Sequence, residues 1–169
     1  MQSVQTLRLY PSQYYNSLKP KSYVDVFNSP TCTIGKYYRE DGETKARAVI
    51  CLMILDLTEC FNIGKPMSAV QVARLADLIL EKYSMLKIDD FKLCFNEVIS
   101  GKYGTIYDRI DVNVVLTWIS TYLNERLNVA EGLSQQEHEK TCSRGEKRKE
   151  NYNNEFLKGY DKFIESKIK

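Results

Sequence analysis

The stretch ETKARAVICLMILDLTECF, residues 43–61, constrains the fold more than any other part of this chain. It carries charges at its ends, and from Ala46 to Leu55 it places apolar residues on every helical face. No glycine or proline interrupts it. A surface helix buries one stripe, whereas a helix apolar all round needs neighbours on all sides. The expected fold class is therefore all-α: a compact multi-helix bundle around this buried central helix. Asn62, Gly64 and Pro66 stop the helix.

The segments that follow supply the neighbours. Ser68 with Gln71 matches a capping box, in which each side chain satisfies an orphan amide of the first turn. Ala69, Val72, Ala73, Ala76, Ile79, Leu80 and Tyr83 then repeat at helical spacing. A further helix starts near Ile88 and lines Ile88, Phe91, Phe95 and Val98 on one face, with Cys94 beside them. Asp89 and Asp90 fall in its first turn, where the helix dipole favours anions, and Gly101 suits the position just past its end. Asp111 can cap another helix with the stripe Val112, Val115, Leu116, Ile119, Leu123 and Leu127. That helix is expected to reach Glu131, where Gly132 weakens it.

The flanks read differently. Residues 1–42, broken by Pro11, Pro20 and Pro30, are expected to form an irregular arm packed on the core, with a short helix after Pro11. Gly35 and Gly42 bracket GKYYREDG, which suits a short strand pair. Residues 43–132 form the helical core domain. Residues 133–151 are a polar linker or solvated helix, and residues 152–169 an amphipathic C-terminal helix. Together these last two make a charged helical extension.

Composition excludes several function classes. The 169 residues carry 24 basic and 22 acidic side chains, a net charge of +2, which is not the footprint of a strongly basic nucleic-acid binder. The five cysteines are odd in number, and none are spaced C-x-x-C, so a reducing, cytoplasmic setting is expected. The N-terminus lacks the apolar core of a signal peptide. The longest apolar stretch, residues 48–55, is far short of the roughly 20 residues that cross a bilayer, so no membrane partner is expected.

Catalytic chemistry is poorly provided for. The single histidine, His138, lies among Glu137, Glu139 and Lys140, a setting that suits solvent exposure. Cys142 follows one helical turn later, but two ligands do not make a metal site. Asp89 and Asp90 are adjacent, so on a helix they point apart. No Walker or dinucleotide motif is present. No enzyme activity and no cofactor are expected.

Binding surfaces remain. In SGKYGTIYDRID, residues 100–111, Lys102, Tyr103, Tyr107 and Arg109 interleave cations with aromatic rings, an arrangement that can contact phosphate and stack bases. The competing reading is structural: a helix stop, a turn, a core plug and a helix cap. A basic run, Arg144, Lys147, Arg148 and Lys149, could add phosphate contacts, although interspersed glutamates suit a solvated helix. Tyr152, Phe156, Tyr160 and Phe163 recur every three to four residues, a stripe that can dock on its own core or on another chain, including a second copy.

Over residues 69–131 the chain resembles a family of small all-helical proteins of Bacteroides-type phages and conjugative elements. The resemblance rests on Tyr83, Leu86-Lys87, Asp89-Asp90-Phe91-Lys92, Gly101-Lys102-Tyr103-Gly104, the run from Ile106 to Asp111, Trp118, Tyr122 and Glu125-Arg126. It implies a cytoplasmic mobile-element protein that serves replication or maintenance of element DNA, with DNA or a replication protein as partner. It carries over no catalytic residue. The expectation is thus a non-catalytic accessory protein associated with nucleic acid, a replication adaptor or helicase-loader-like factor. The alternative is a protein-interaction module, or an oligomerising helical protein, with no nucleic-acid role.

Overall fold

The computed structural model describes residues 11–62, 64–104 and 109–167, without the side chains of 143–154 and 156–167. The described residues are all-α, with seven helices: α1 (Pro11–Ser17), α2 (Tyr23–Asn28), α3 (Ile34–Asp41), α4 (Glu43–Glu59), α5 (Ala69–Lys82), α6 (Ile88–Ile99) and α7 (Val112–Lys167). They divide into two compact units that meet between Arg126 and Leu127, within α7.

Residues 11–42 carry three short helices, the one expected after Pro11 and two more that correct the expectation of an otherwise irregular arm. Pro11 opens α1, where its missing amide is not needed. Ser22 and Asp25 cap α2 reciprocally, and the Thr33 side chain accepts the Lys36 amide at the start of α3. GKYYREDG is therefore helical up to Asp41 rather than a strand pair. Burial explains why such short pieces hold. Tyr14, Tyr15, Val26, Ile34 and Tyr37 all belong to the buried core. Helices this short are marginal alone and need tertiary packing.

The start of α3 is also tied to the turn between α5 and α6. The Ile34 amide donates to the Leu86 carbonyl and the Gly35 amide to the Ser84 carbonyl, both at 2.8 Å. A Cβ on Gly35 would lie 3.1 Å from that Ser84 oxygen, so glycine permits the close approach.

Helix α4 packs against α1, α3, α5 and α6. Ala46, Val49, Ile50, Met53, Ile54 and Leu57 are buried, while Cys51 and Leu52 are half-buried and Leu55 is exposed. One flank of the apolar helix therefore meets solvent. Helix α5 starts with the Ser68–Gln71 capping box. Helix α6 ends in a Schellman motif: the Gly101 amide donates to Val98 and the Lys102 amide to Glu97. Gly101 takes φ +85° there.

The Asp111 carboxylate accepts the Val114 amide and so caps α7. In the first unit α7 buries Val115, Trp118, Ile119 and Tyr122. The helix continues through Gly132 and the segment expected as a linker, and it reaches Lys167.

The two helical glycine roles predict opposite outcomes. Gly101→Ala is expected to destabilise the first unit by about 1–2 kcal/mol, the cost of a left-handed Cβ. Gly132→Ala, whose Cβ would meet nothing within 4 Å, is expected to strengthen its helix by roughly 0.5–1 kcal/mol. Urea titrations followed by far-ultraviolet circular dichroism check both signs.

Candidate functional site

The richest cluster of charged and aromatic side chains in the first unit joins α2, α6, the 101–104 turn and the first four turns of α7. It begins at Asp89 and Asp90. Both are buried, Asp90 completely. Asp90 accepts three hydrogen bonds: from the Lys87 amide at 2.8 Å, the Tyr122 hydroxyl at 2.9 Å and Arg126 Nε at 2.7 Å. Asp89 accepts from the Ser29 hydroxyl at 3.0 Å and from Thr31. The two carboxylates do point apart, and each is engaged in a folding contact.

Cations complete the cluster. Lys87 Nζ donates to the carbonyls of Val26, Phe27 and Ser29 at 3.0, 3.3 and 2.7 Å. It thereby satisfies the exposed end of α2, where a positive charge is favoured by the dipole. The Arg126 guanidinium lies 4.9 Å from the Phe27 ring centre.

Lys102 is the centre of the surface-facing part. Its Nζ donates to Glu125 at 2.6 Å, to Glu97 at 2.9 Å and to the Tyr23 hydroxyl at 3.4 Å. The Tyr23 hydroxyl donates to Glu125 at 2.6 Å, and the Tyr103 hydroxyl to Glu97 at 2.7 Å. Both tyrosine rings lie within 6 Å of the ammonium, at 5.6 and 5.3 Å, within cation–π range. The Tyr23 ring also packs on Tyr122 at 5.3 Å.

The electrostatics follow from this geometry. Burial disfavours the Lys102 charge, yet its bonds to Glu125, Glu97 and Tyr23 outweigh that and raise its pKa. Burial likewise opposes ionisation of Glu125, but Lys102 and Tyr23 hold its pKa below the usual value. Burial, then the bond to Glu125, pushes Tyr23 up to about 12. Burial and the bond to Glu97 raise Tyr103, and burial and Asp90 raise Tyr122.

The residues expected to meet nucleic acid are thus placed unequally. Lys102 has its charge answered by two carboxylates. Tyr103 is half-buried with its hydroxyl engaged. Arg109 is the outward-facing member: its side chain is 74% exposed and lies 3.6 Å from Asp111. Tyr107 lies outside the described residues, as do the side chains of Arg144, Lys147, Arg148, Lys149, Tyr152, Phe156, Tyr160 and Phe163.

Two concave surfaces lie elsewhere in the first unit. A cleft of about 500 Å³ is lined by Tyr38, Arg39, Glu43, Asp77, Leu80 and Glu81, and Arg47 closes on Asp77 at 2.9 Å. A shallower groove of about 460 Å³ exposes Leu52, Leu55 and Cys51 beside Asp56. No group of three or more metal-ligating side chains occurs among the described residues.

Sequence reasoning missed Glu97, Glu125 and Lys87 as partners. The available signal was the spacing of Tyr122, Glu125 and Arg126 within one turn of the helix. No family model, no curated protein and no solved structure matches the chain.

Two substitutions separate the buried from the surface part of the cluster. Asp90→Ala strands Arg126 and is expected to cost about 3–5 kcal/mol, the range for breaking a buried pair. Lys102→Ala, whose side chain is 37% exposed, is expected to cost about 1 kcal/mol or less. The Lys102 contribution has a pH window. The lowered Glu125 pKa gives stability that is lost as pH falls through the carboxylate range. The raised Lys102 pKa gives stability that is lost only above the ordinary lysine value. The difference between wild type and Lys102→Ala should therefore be flat from about pH 5 to 10 and shrink below about pH 4. Urea midpoints measured across pH would show this.

Proposed function

We propose that this chain is a non-catalytic accessory protein that works through protein–protein contact, a helical module built around α4 and acting in the cytoplasm. The engagement of Lys102 by Glu97 and Glu125 carries this reading. It leaves Lys102 poorly placed to meet phosphate, in a chain whose net charge is only +2. Exposed apolar side chains of the first unit support the reading: Val70 is 78% exposed, and Met85 and Leu55 stand about half in solvent. The aromatic register of Tyr152, Phe156, Tyr160 and Phe163 supports it on the C-terminal part of α7, where a stripe at this spacing suits a partner helix. The family resemblance adds a context, an accessory of a mobile element. Asp89 and Asp90, the pair best suited to acid–base work by sequence, are held by folding contacts.

A second reading, association with DNA or with a replication protein on DNA, draws on the exposure of Arg109 and on the basic run at 144–149. One pair of measurements divides the two. Light scattering across a concentration series should show self-association of the full-length protein that Phe156→Ser with Tyr160→Ser abolishes. Anisotropy on labelled single-stranded and forked DNA should show no salt-sensitive binding that depends on Lys102. A strict monomer at every concentration would count against the interaction reading. Binding that falls steeply with salt and is lost in Lys102→Ala or Arg109→Ala would favour the nucleic-acid reading.

A further inference from the structure

His138 and Cys142 sit one turn apart on α7, both exposed. Cys142 Sγ lies 3.6 Å from His138 Nε2. That separation has a specific meaning in coordination chemistry. With zinc–nitrogen near 2.05 Å, zinc–sulfur near 2.3 Å and a tetrahedral angle, the nitrogen-to-sulfur edge is about 3.6 Å. The two side chains are therefore already spaced as two corners of a tetrahedral zinc site. Their chemistry fits as well, since imidazole and thiolate both suit zinc, a borderline-soft cation.

One chain supplies only these two corners, because no third metal-ligating side chain joins them among the described residues. We propose that His138 and Cys142 form a zinc half-site, and that a second copy of this chain completes it as a Cys2His2 centre. A two-fold axis beside the pair would bring two histidines and two cysteines to one level. This rests on the interaction reading above for its partner surface, but metal uptake is a separate observable.

Helical register selects the second copy as the occupant. At 3.6 residues per turn, positions 142, 152, 156, 160 and 163 all fall within about 40° of position 138. Helix α7 is continuous across them. The half-site therefore shares one helical register with positions 152, 156, 160 and 163, which the sequence fills with aromatic residues. Residues 137–150 carry Lys140, Arg144, Lys147, Arg148 and Lys149 against Glu137, Glu139, Glu146 and Glu150, so two copies alongside one another meet little net repulsion. A parallel pairing is favoured. An antiparallel one centred on residue 140 would set the aromatic stripe against positions 117–128, where Trp118, Ile119 and Tyr122 are buried in their own core.

Binding is balanced by proton release: two thiols each lose a proton to solvent as two thiolates take one Zn²⁺, while the imidazoles bind neutral. The test uses full-length protein in a non-thiol reductant, which prevents a Cys142 disulfide between chains. Added zinc should shift the mass by light scattering to the dimer at about one zinc per two chains, and a chelator should reverse it. Cobalt(II) in place of zinc should give the visible bands of a tetrahedral site with thiolate charge transfer in the near ultraviolet. Cys142→Ser and His138→Ala, both solvent-facing, should lose the mass shift and the cobalt spectrum without changing helicity. Three outcomes would overturn the proposal. They are zinc bound at one per chain with no change in mass, a response to zinc in Cys142→Ser or His138→Ala equal to that of wild type, and a cobalt spectrum without thiolate character. Zinc-free association that needs Phe156 would leave the interaction reading standing even then, whereas zinc-driven dimers insensitive to Phe156→Ser would separate the metal site from the stripe.

Discussion

The carboxylate of Asp90 holds the first unit together at the point where its parts converge. It is completely buried, and a buried carboxylate is tolerated only when hydrogen bonds and an opposite charge replace lost water. Here the Lys87 amide, Tyr122 and Arg126 provide them. One acceptor therefore sets the start of α6 and fixes how α7 passes it. Arg126 then reaches Phe27, and Lys87 reaches three carbonyls at the end of α2. A short helix that could not persist alone is thereby fastened to the same few residues.

This arrangement decides the chemistry of the 101–104 turn. With α6 and α7 held in register, Glu97 and Glu125 stand on either side of Lys102, and Tyr23 closes over it. A lysine between two carboxylates and two aromatic rings is a fastening between elements. Phosphate would have to compete with two fixed anions already within 3 Å. The contrast with Arg109, whose side chain is 74% exposed and lies 3.6 Å from Asp111, shows that charge type alone does not tell a structural cation from an available one.

What was legible in the sequence follows the range of the interactions. The Ser68–Gln71 box, the Gly101 stop and the Asp111 cap each depend on residues within four positions of one another, and each stands where local reasoning puts it. Of the helices of residues 11–42, the one after Pro11 was legible and the two that follow it, Tyr23–Asn28 and Ile34–Asp41, were not. Their sequences are short and set apart by prolines, and they are held by burial of Val26, Ile34 and Tyr37 against distant elements. The α4 pattern pointed to burial all round, but Leu55 remains exposed, because hydrophobicity does not reveal which neighbour is missing. For the candidate site, the residue types of the turn were readable, whereas one of the two carboxylate partners of Lys102 lies 23 positions away at Glu125 and no periodicity links the two.

Gly132 was expected to weaken α7, and the helix nevertheless runs through it. Glycine costs about 1 kcal/mol in a helix interior, while each residue added to an existing helix needs no new nucleus. One glycine among good helix formers such as Leu127, Ala130, Glu131 and Leu133 therefore does not end the helix. The consequence reaches the residues beyond it. In an irregular linker, His138 and Cys142 would sample many separations, and their spacing would carry no chemical meaning. On a continuous helix the backbone holds them one turn apart, on the face that positions 152, 156, 160 and 163 also share. The helical state of residues 133–151, which composition left open, is what turns a histidine and a cysteine in a polar stretch into two preset corners of a coordination tetrahedron.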